Sequence, residues 1–361
     1  MPKSSSNLLS KFNPKAQGLQ TAGLGSEWMQ KKLYFSEYPL ARFMKLLYNP
    51  VFLDHHTGMH PESHRRLQAF NLQYSNTSRD GTPYLELVHG PAYIQKVKDA
   101  CIFSGMLDQD TLTSPGTYEA AVYAVGATVE ASEQGDFALV RPPGHHAYPN
   151  KASGFCLFNN IAIATRKLVA EGKRVLIFDF DGHLGDGTSH IFYDTDHVMY
   201  WSLHQYPAFP GHGFVNETGT GKGEGFTLNV PLPPGSGDDI FWRAIDSYLP
   251  IAKAFNPDVV AVSAGFDAHQ QDLLLDLRLT LPTFYKLGVL IRTHFKQYFA
   301  TLEGGYNTQY LPAAVYNFLD GINGAAMRFE ERETESEFKV WDTFDINLNS
   351  GLSILSKFWK L

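Results

Sequence analysis

The sequence predicts an α/β fold, a parallel sheet covered by helices on both faces. Short apolar runs end abruptly in polar, Gly-rich segments, and helical patterns lie between them. Strands of a parallel sheet are buried on both faces, so they read as continuous apolar runs. The polar clusters also fall where the runs stop, which is where open α/β sheets carry their functional groups.

In chain order, Phe137-Ala-Leu-Val140 leads into Arg141-Pro-Pro-Gly-His-His-Ala147, and Val175-Leu-Ile-Phe178 leads into Asp179-Phe-Asp-Gly-His183. Val198 to Leu203 precedes His204-Gln-Tyr-Pro-Ala-Phe209. Val259 to Val262 precedes Ser263-Ala-Gly-Phe-Asp267, and Tyr298 to Leu302 precedes Glu303-Gly-Gly-Tyr306. The intervening helices are expected at 117–134, which is Ala-rich and follows Ser114-Pro-Gly, and at 159–171, 239–255 and 282–295. Strands alternating with helices imply parallel pairing through crossovers.

Residues 1–45 precede this pattern and read as an N-terminal extension, leaving 46–361 as one domain. Residues 327–337 are charge-dense and read as a solvated loop or helix face, and 352–361 is amphipathic and expected to pack back onto the body. The 361 residues are 43% hydrophobic, enough for one large core, and the net charge of −7 with no long basic run disfavours nucleic acid as a partner. No apolar stretch reaches the roughly 18 residues of a membrane span. Cys101 and Cys156, with no CxxC, point to a reducing compartment, and a cytoplasmic location is expected.

The most informative segment is Asp179-Phe-Asp181-Gly-His183. Alternation along an extended chain points these carboxylates and this imidazole to one side. Burying two like charges without a counter-ion would cost several kcal/mol, on the order of known buried-charge penalties. A cation removes that cost, whereas turn or helix capping accounts for one acid but not for the set. Catalytic zinc needs three protein ligands and an open position. Asp181 and His183 supply two, Asp267 is the natural third, and Asp179 fits as a partner that orients a histidine.

His145-His146, stiffened by Pro142 and Pro143, offers a base and an acid for amide hydrolysis, with Asp179 and Asp186 as their carboxylates. Tyr306, after Gly304-Gly305, offers a phenol O–H to a developing oxyanion. Taken singly, two loop histidines or one tyrosine are ordinary surface chemistry. Together they fill different roles that one reaction requires.

These residues resemble a family. Arg-Pro-Pro-Gly-His145-His146-Ala, Gly154-Phe155-Cys-Leu-Phe-Asn-Asn160, Asp179-Phe-Asp181-Gly-His183-Leu-Gly-Asp186-Gly-Thr188, Ser263-Ala-Gly-Phe-Asp267-Ala-His269 and Leu302-Glu-Gly-Gly-Tyr306-Asn307 stand in the order seen in zinc-dependent histone deacetylases. The likeness is to the bacterial class II-like branch together with acetylpolyamine amidohydrolases, from about residue 48 to about 323. It implies the arginase/deacetylase fold, a single domain with a parallel sheet of about eight strands between helical layers.

The resemblance assigns zinc to Asp181, His183 and Asp267, acid/base work to His145 and His146 backed by Asp179 and Asp186, and carbonyl polarisation to Tyr306. It places Gly154, Phe155 and Phe209 along an acyl channel, Asp110 and Leu274 at its rim, and Arg66 near an acetate exit. It also implies potassium sites, one at Asp179, Asp181, His183, Ser202 and Leu203, the other at Phe192, Thr195 and Val198 near Phe226.

Three departures stand out. Leu184 replaces a usual histidine that is not a zinc ligand, so a packing change is expected. Gly182 replaces a larger apolar residue, which suggests a looser loop. Leu273 replaces a usual proline. The expected activity is zinc-dependent removal of acetyl groups from the ε-amine of lysine in proteins or peptides, by water activated at the metal. The alternative is an acetylpolyamine amidohydrolase acting on small N-acetylated amines. Leu274, where one polyamine-selective relative has an acid, tilts the expectation to lysine. Two further readings are a binuclear manganese ureohydrolase, against which Asp267-Ala-His269 lacks the second Asp-x-Asp, and a non-catalytic binding module, against which stands the full set of acid, base, ligand and tyrosine; a homo-oligomer is compatible with the expected enzyme.

Overall fold

Every strand pair of the sheet is parallel. The computed structural model describes residues 43–360, so the expected extension lies almost wholly outside the described residues. The strands are β1 (Leu46–Leu47), β2 (Phe137–Ala138), β3 (Val175–Asp179), β4 (Val198–Gln205), β5 (Thr227–Leu232), β6 (Val259–Ala264) and β7 (Tyr298–Leu302). They lie in the order β1-β2-β7-β6-β3-β4-β5. Seven strands among the described residues replace the expected eight or so.

Two of them were hidden from sequence reading for physical reasons. The pair of residues in β1 is too short to show a period. In β5 the apolar run is broken by Asn229 and Pro231, and proline is tolerated because β5 is an edge strand.

The helices are α1 (Arg65–Gln68), α2 (Pro91–Ile102), α3 (Thr117–Gln134), α4 (Asn160–Ala170), α5 (Asp186–Ile191), α6 (Asp238–Ala254), α7 (Leu281–His294), α8 (Leu311–Asn323) and α9 (Phe338–Leu355). The α3 helix has the predicted span and stops at Gly135, left-handed at φ 72°, whose N–H bonds back to the Ala131 carbonyl. The Asn159 side chain caps α4 by accepting from the Ala162 N–H at 3.0 Å. Pairs α3 and α4, and α7 and α8, pack on each other, while α6 and α9 cover β5.

The closing segment does pack back. Leu355 is buried, and the Trp359 indole donates to the Gly225 carbonyl at 2.7 Å. Residues 327–337 have no helix or strand, but they are more than a solvated loop. Thr334 and Ser336 donate their N–H groups to Asp238 and Asp239 at the start of α6, each at 2.8 Å. Those two carboxylates take up polar groups that charge density alone marks as solvated.

The order β2-β7-β6-β3-β4 makes five strands consecutive neighbours, and the polar clusters follow their C-terminal ends. The sheet therefore brings together loops as far apart in the chain as those of Gly144 and Glu303, 159 residues, which no local pattern could do.

Candidate active site

Asp179 is the last residue of β3, and Asp181 and His183 follow in the bend beyond it. Asp267 arrives from the loop after β6. Asp181, His183 and Asp267 are buried, and their ligand atoms lie within 4.8 Å of one another. The His183 Nδ1 is 2.8 Å from Asp267 Oδ2 and 3.4 Å from Asp181 Oδ1.

The electrostatics call for positive charge at this point. Burial and the nearby Asp181 charge push the Asp267 carboxyl up to about 6. Burial also works against the Asp181 charge, yet His145 and His183 hold its carboxyl below the usual range. For His183 burial is again the opposing effect, and Asp267 and Asp181 overcome it to push the imidazole up to about 10. A proton on His183 is the available counter-charge for two buried acids, and a dication with two oxygens and one nitrogen around it would replace that proton. This donor set suits zinc.

The space is also kept clear. A Cβ on Gly265 would collide with the Asp181 carboxylate, and one on Gly304 would lie 2.6 Å from Asp181 Oδ2 and collide with Asp267. The Gly304 N–H donates to Asp181 Oδ2 at 2.7 Å, fixing that carboxylate. We expect Gly265→Ala to weaken metal binding about 10–100-fold, as disturbing the groups that orient metal ligands does; competitive chelator titration with zinc measures it.

Gly182 corrects an expectation. A side chain there would collide with Leu275 and sit 3.0 Å from Asp267 Oδ1, and the Gly182 N–H donates to that oxygen at 2.7 Å. The glycine packs the loop tightly rather than loosening it. Leu184 is buried within the core cluster.

The histidines stand beside this triad, with ring centroids 4.1 Å apart. His145 Nδ1 lies 3.1 Å from Asp179 Oδ2, and His146 Nδ1 lies 2.7 Å from Asp186 Oδ1. Their proton affinities diverge. Burial would lower His145, but Asp181, Asp179 and Glu303 push it well above its ordinary value. Burial and His145 push His146 down to about 4, against the pull of Asp186. Environments that separate two like groups in this way suit one proton donor and one acceptor.

Tyr306 follows Gly305, which has φ 117°. Its ring lies 5.0 Å from the Arg66 guanidinium and 5.7 Å from the Phe155 ring. Phe155 has φ 69°, a conformation uncommon for a bulky residue, and its ring meets His60 at 4.5 Å. Phe209 lies 5.0 Å from the His146 ring. Gly154 packs against these two, where a Cβ would come within 2.5 Å of His146 and 3.0 Å of Phe209. Asp110 is exposed and bonded to His60 at 3.0 Å, and Leu273 and Leu274 are exposed beside Asp272.

The residues expected around potassium are also neighbours. Asp179 pairs with Ser202 across β3 and β4, ahead of Leu203, and the Ser202 hydroxyl lies 2.9 Å from His204 Nδ1. Phe192 ends α5, and its carbonyl accepts from the Thr195 N–H at 3.4 Å, while Val198 opens β4.

Sequence reasoning missed the residues that hold the others in place. Glu303 is fully buried and accepts from the Gly144 and His145 N–H groups at 2.7 and 3.1 Å. Burial pushes its carboxyl up to about 7. Asp272 accepts from the Tyr306 and Asn307 N–H groups at 2.7 and 3.0 Å. Asn159 donates to the Ala147 carbonyl at 3.0 Å. Tyr200 donates to Asp179 Oδ2 at 2.9 Å. An acid at the end of an apolar strand, as Glu303 is, was the one available signal.

Comparison with known proteins agrees with this geometry. Residues 60–322 match the family model of the histone deacetylase domain. The chain is 35% identical over 298 residues to a probable deacetylase of Archaeoglobus fulgidus, covering 76% of this chain and 82% of that one. It is 34% identical to the histone deacetylase-like amidohydrolase of Pseudomonas aeruginosa, with coverage of 73% and 77%. It is 36% identical to the acetylpolyamine amidohydrolase of Mycoplana ramosa, with coverage of 60% and 66%. The crystal structure of the HDA15 HD domain superposes with a TM-score of 0.79 at 29% identity, covering 89% of this chain and 96% of that one. Both the sequence and the fold thus place the chain in the histone deacetylase family, as a hydrolase of the deacetylase and amidohydrolase class.

Proposed function

We propose that the protein is a zinc-dependent amidohydrolase that removes acetyl groups from the ε-amine of lysine in proteins or peptides. The observation that carries this reading is the convergence of Asp181, His183 and Asp267 with two His–Asp pairs and Tyr306 at the ends of adjacent strands. Zinc held by the triad would polarise the amide carbonyl and lower the pKa of a neighbouring water.

The chain supplies the remaining steps. His146, lowered by burial and by His145, is suited to take the proton of the attacking water, and His145, raised by the carboxylates around it, to deliver one to the leaving amine. Tyr306 stays protonated because burial and the Asp267 charge push its phenol well above 10, so it can donate to the carbonyl oxygen. Phe155, Phe209 and Gly154 enclose a slender acyl-amine stem and keep water out. Arg66, bonded to the Gly305 carbonyl at 2.7 Å, supports the Tyr306 loop. Potassium at Asp179 and Ser202, and near Phe192, Thr195 and Val198, would neutralise further carbonyl and carboxylate charge beneath the site.

Lysine is favoured over polyamines by the rim. The free ammonium of an acetylated polyamine would reach the rim, where Leu273 and Leu274 present no carboxylate to it. Asp110, exposed and presented by His60, suits a peptide N–H. Parallel turnover of an acetyl-lysine peptide and N-acetylputrescine tests this, with at least tenfold higher kcat/KM expected for the peptide. Equal or reversed preference would give the polyamine reading.

A second metal of the ureohydrolase kind finds no support. His269 Nε2 is committed to Glu331 at 3.0 Å and its ring stacks on Tyr310 at 4.7 Å.

A further inference from the structure

Each carboxylate behind the histidine pair is gripped by a tyrosine. Asp179 Oδ2 receives the Tyr200 hydroxyl at 2.9 Å, and Asp186 Oδ2 receives the Tyr148 hydroxyl, also at 2.9 Å. The two grips differ. Tyr200 is fully buried in β4, whereas Tyr148 is half-buried in a surface turn with its N–H bonded to the Lys151 carbonyl at 2.9 Å. The Lys151 ammonium lies 5.5 Å above the Tyr148 ring, and the His190 ring lies 5.1 Å away.

We propose that Tyr148 is a positioning residue for the acid/base machinery: its hydroxyl fixes the rotation of Asp186 so that Oδ1 meets His146 Nδ1. The proposal rests on the amidohydrolase reading. Asp186 has two oxygens, and each has one side-chain donor. With Oδ2 occupied, the carboxylate cannot turn away from His146, and the His146 Nε2 edge is held towards the reacting centre. Without that donor, the carboxylate, which is 6% exposed, is free to rotate and find water. The phenol is a dependable donor because burial and the Asp186 charge raise its pKa above 10. The cation over the ring and the turn hydrogen bond hold the donor itself in place. Lys151, Asp186 and His190 are the charged or titratable side chains that touch it, with Glu217 more distant.

The test is Tyr148→Phe, alone and combined with Asp186→Asn, in the zinc-loaded protein. We expect Tyr148→Phe to lower kcat about tenfold, the size of one hydrogen bond to a charged group, with KM unchanged and the chain still cooperatively folded and zinc-loaded. In the Asp186→Asn background the same change should have little further effect, because the two residues act as one unit. Independently of turnover, the proton between His146 Nδ1 and Asp186 should give a far-downfield NMR resonance that broadens or moves upfield in Tyr148→Phe. An unchanged kcat, a rise confined to KM, additive losses in the double variant, or an unmoved resonance would each overturn the assignment. If the wild-type protein turns over no acetylated amine, the amidohydrolase reading fails, and the NMR comparison still decides whether Tyr148 orders His146.

Discussion

Tyr306→Phe is expected to lower kcat on an acetyl-lysine peptide by about two to three orders of magnitude, the cost of removing one oxyanion donor, while zinc stays at one ion per chain. The phenol is the only part removed, so the pocket keeps its shape. The tyrosine is held from three sides: Asp272 binds its backbone N–H at 2.7 Å, Arg66 lies 5.0 Å from its ring, and Phe155 meets its edge. A residue so constrained is placed before substrate arrives, which is how such donors become effective. Steady-state kinetics with metal analysis measures both quantities. Near-normal kcat in the variant would remove Tyr306 from the mechanism, and loss of zinc with kcat would make it a structural residue.

The second large effect lies deeper. Glu62, Arg66 and Arg141 are fully buried. Glu62 receives Arg141 Nε at 2.6 Å and Nη2 at 2.7 Å, Arg66 Nη1 at 3.1 Å, and His55 Nε2 stands 3.3 Å away. The spare guanidinium donors go to carbonyl oxygens, Arg141 to Phe52 at 2.9 Å and Arg66 to Gly305 at 2.7 Å. Replacing Glu62 with glutamine keeps the shape and strands two buried cations, so Glu62→Gln should destabilise the chain by about 3–5 kcal/mol, measured by denaturant unfolding at pH 7.

The pH dependence has a definite sign. Burial alone would raise the Glu62 carboxyl, but Arg141 holds it well below the ordinary range. A depressed folded pKa contributes stability that is complete above the unfolded value of about 4.3. That contribution is lost as pH falls through the folded value. The gap between wild type and variant should therefore persist at pH 6 and close only in stronger acid. A gap that vanished near neutrality would contradict the ion pairing.

How much of this was legible in the sequence depends on how local each signal was. Asp181, His183, the paired histidines and Tyr306 each stand at the end of an apolar run or in a Gly-rich turn, so chemistry and position could both be read. Their partners were harder. Tyr200 sits inside a continuous apolar strand and reads as core until its hydroxyl is seen on Asp179. Glu62 and Arg141 are 79 residues apart and meet only through the fold. Asp272 carries no such signal, because a carboxylate that accepts from backbone N–H groups leaves no pattern in side-chain identity. The tightness around Gly182 was likewise invisible, since it depends on Leu275 and Asp267 arriving from another strand end.

Glu303 joins two parts of the pocket that reach it from different strands. Its carboxylate holds the histidine loop, while its own chain continues through Gly304 and Gly305 to the tyrosine, with Gly304 also bonded to Asp181. Proton carriers, metal cradle and phenol are thus tied into one unit whose ordering entropy is spent during folding, not on each turnover. Ligands that match the resting geometry should bind without loop rearrangement. Their association rates should therefore track electrostatics and access to the channel rather than a conformational gate.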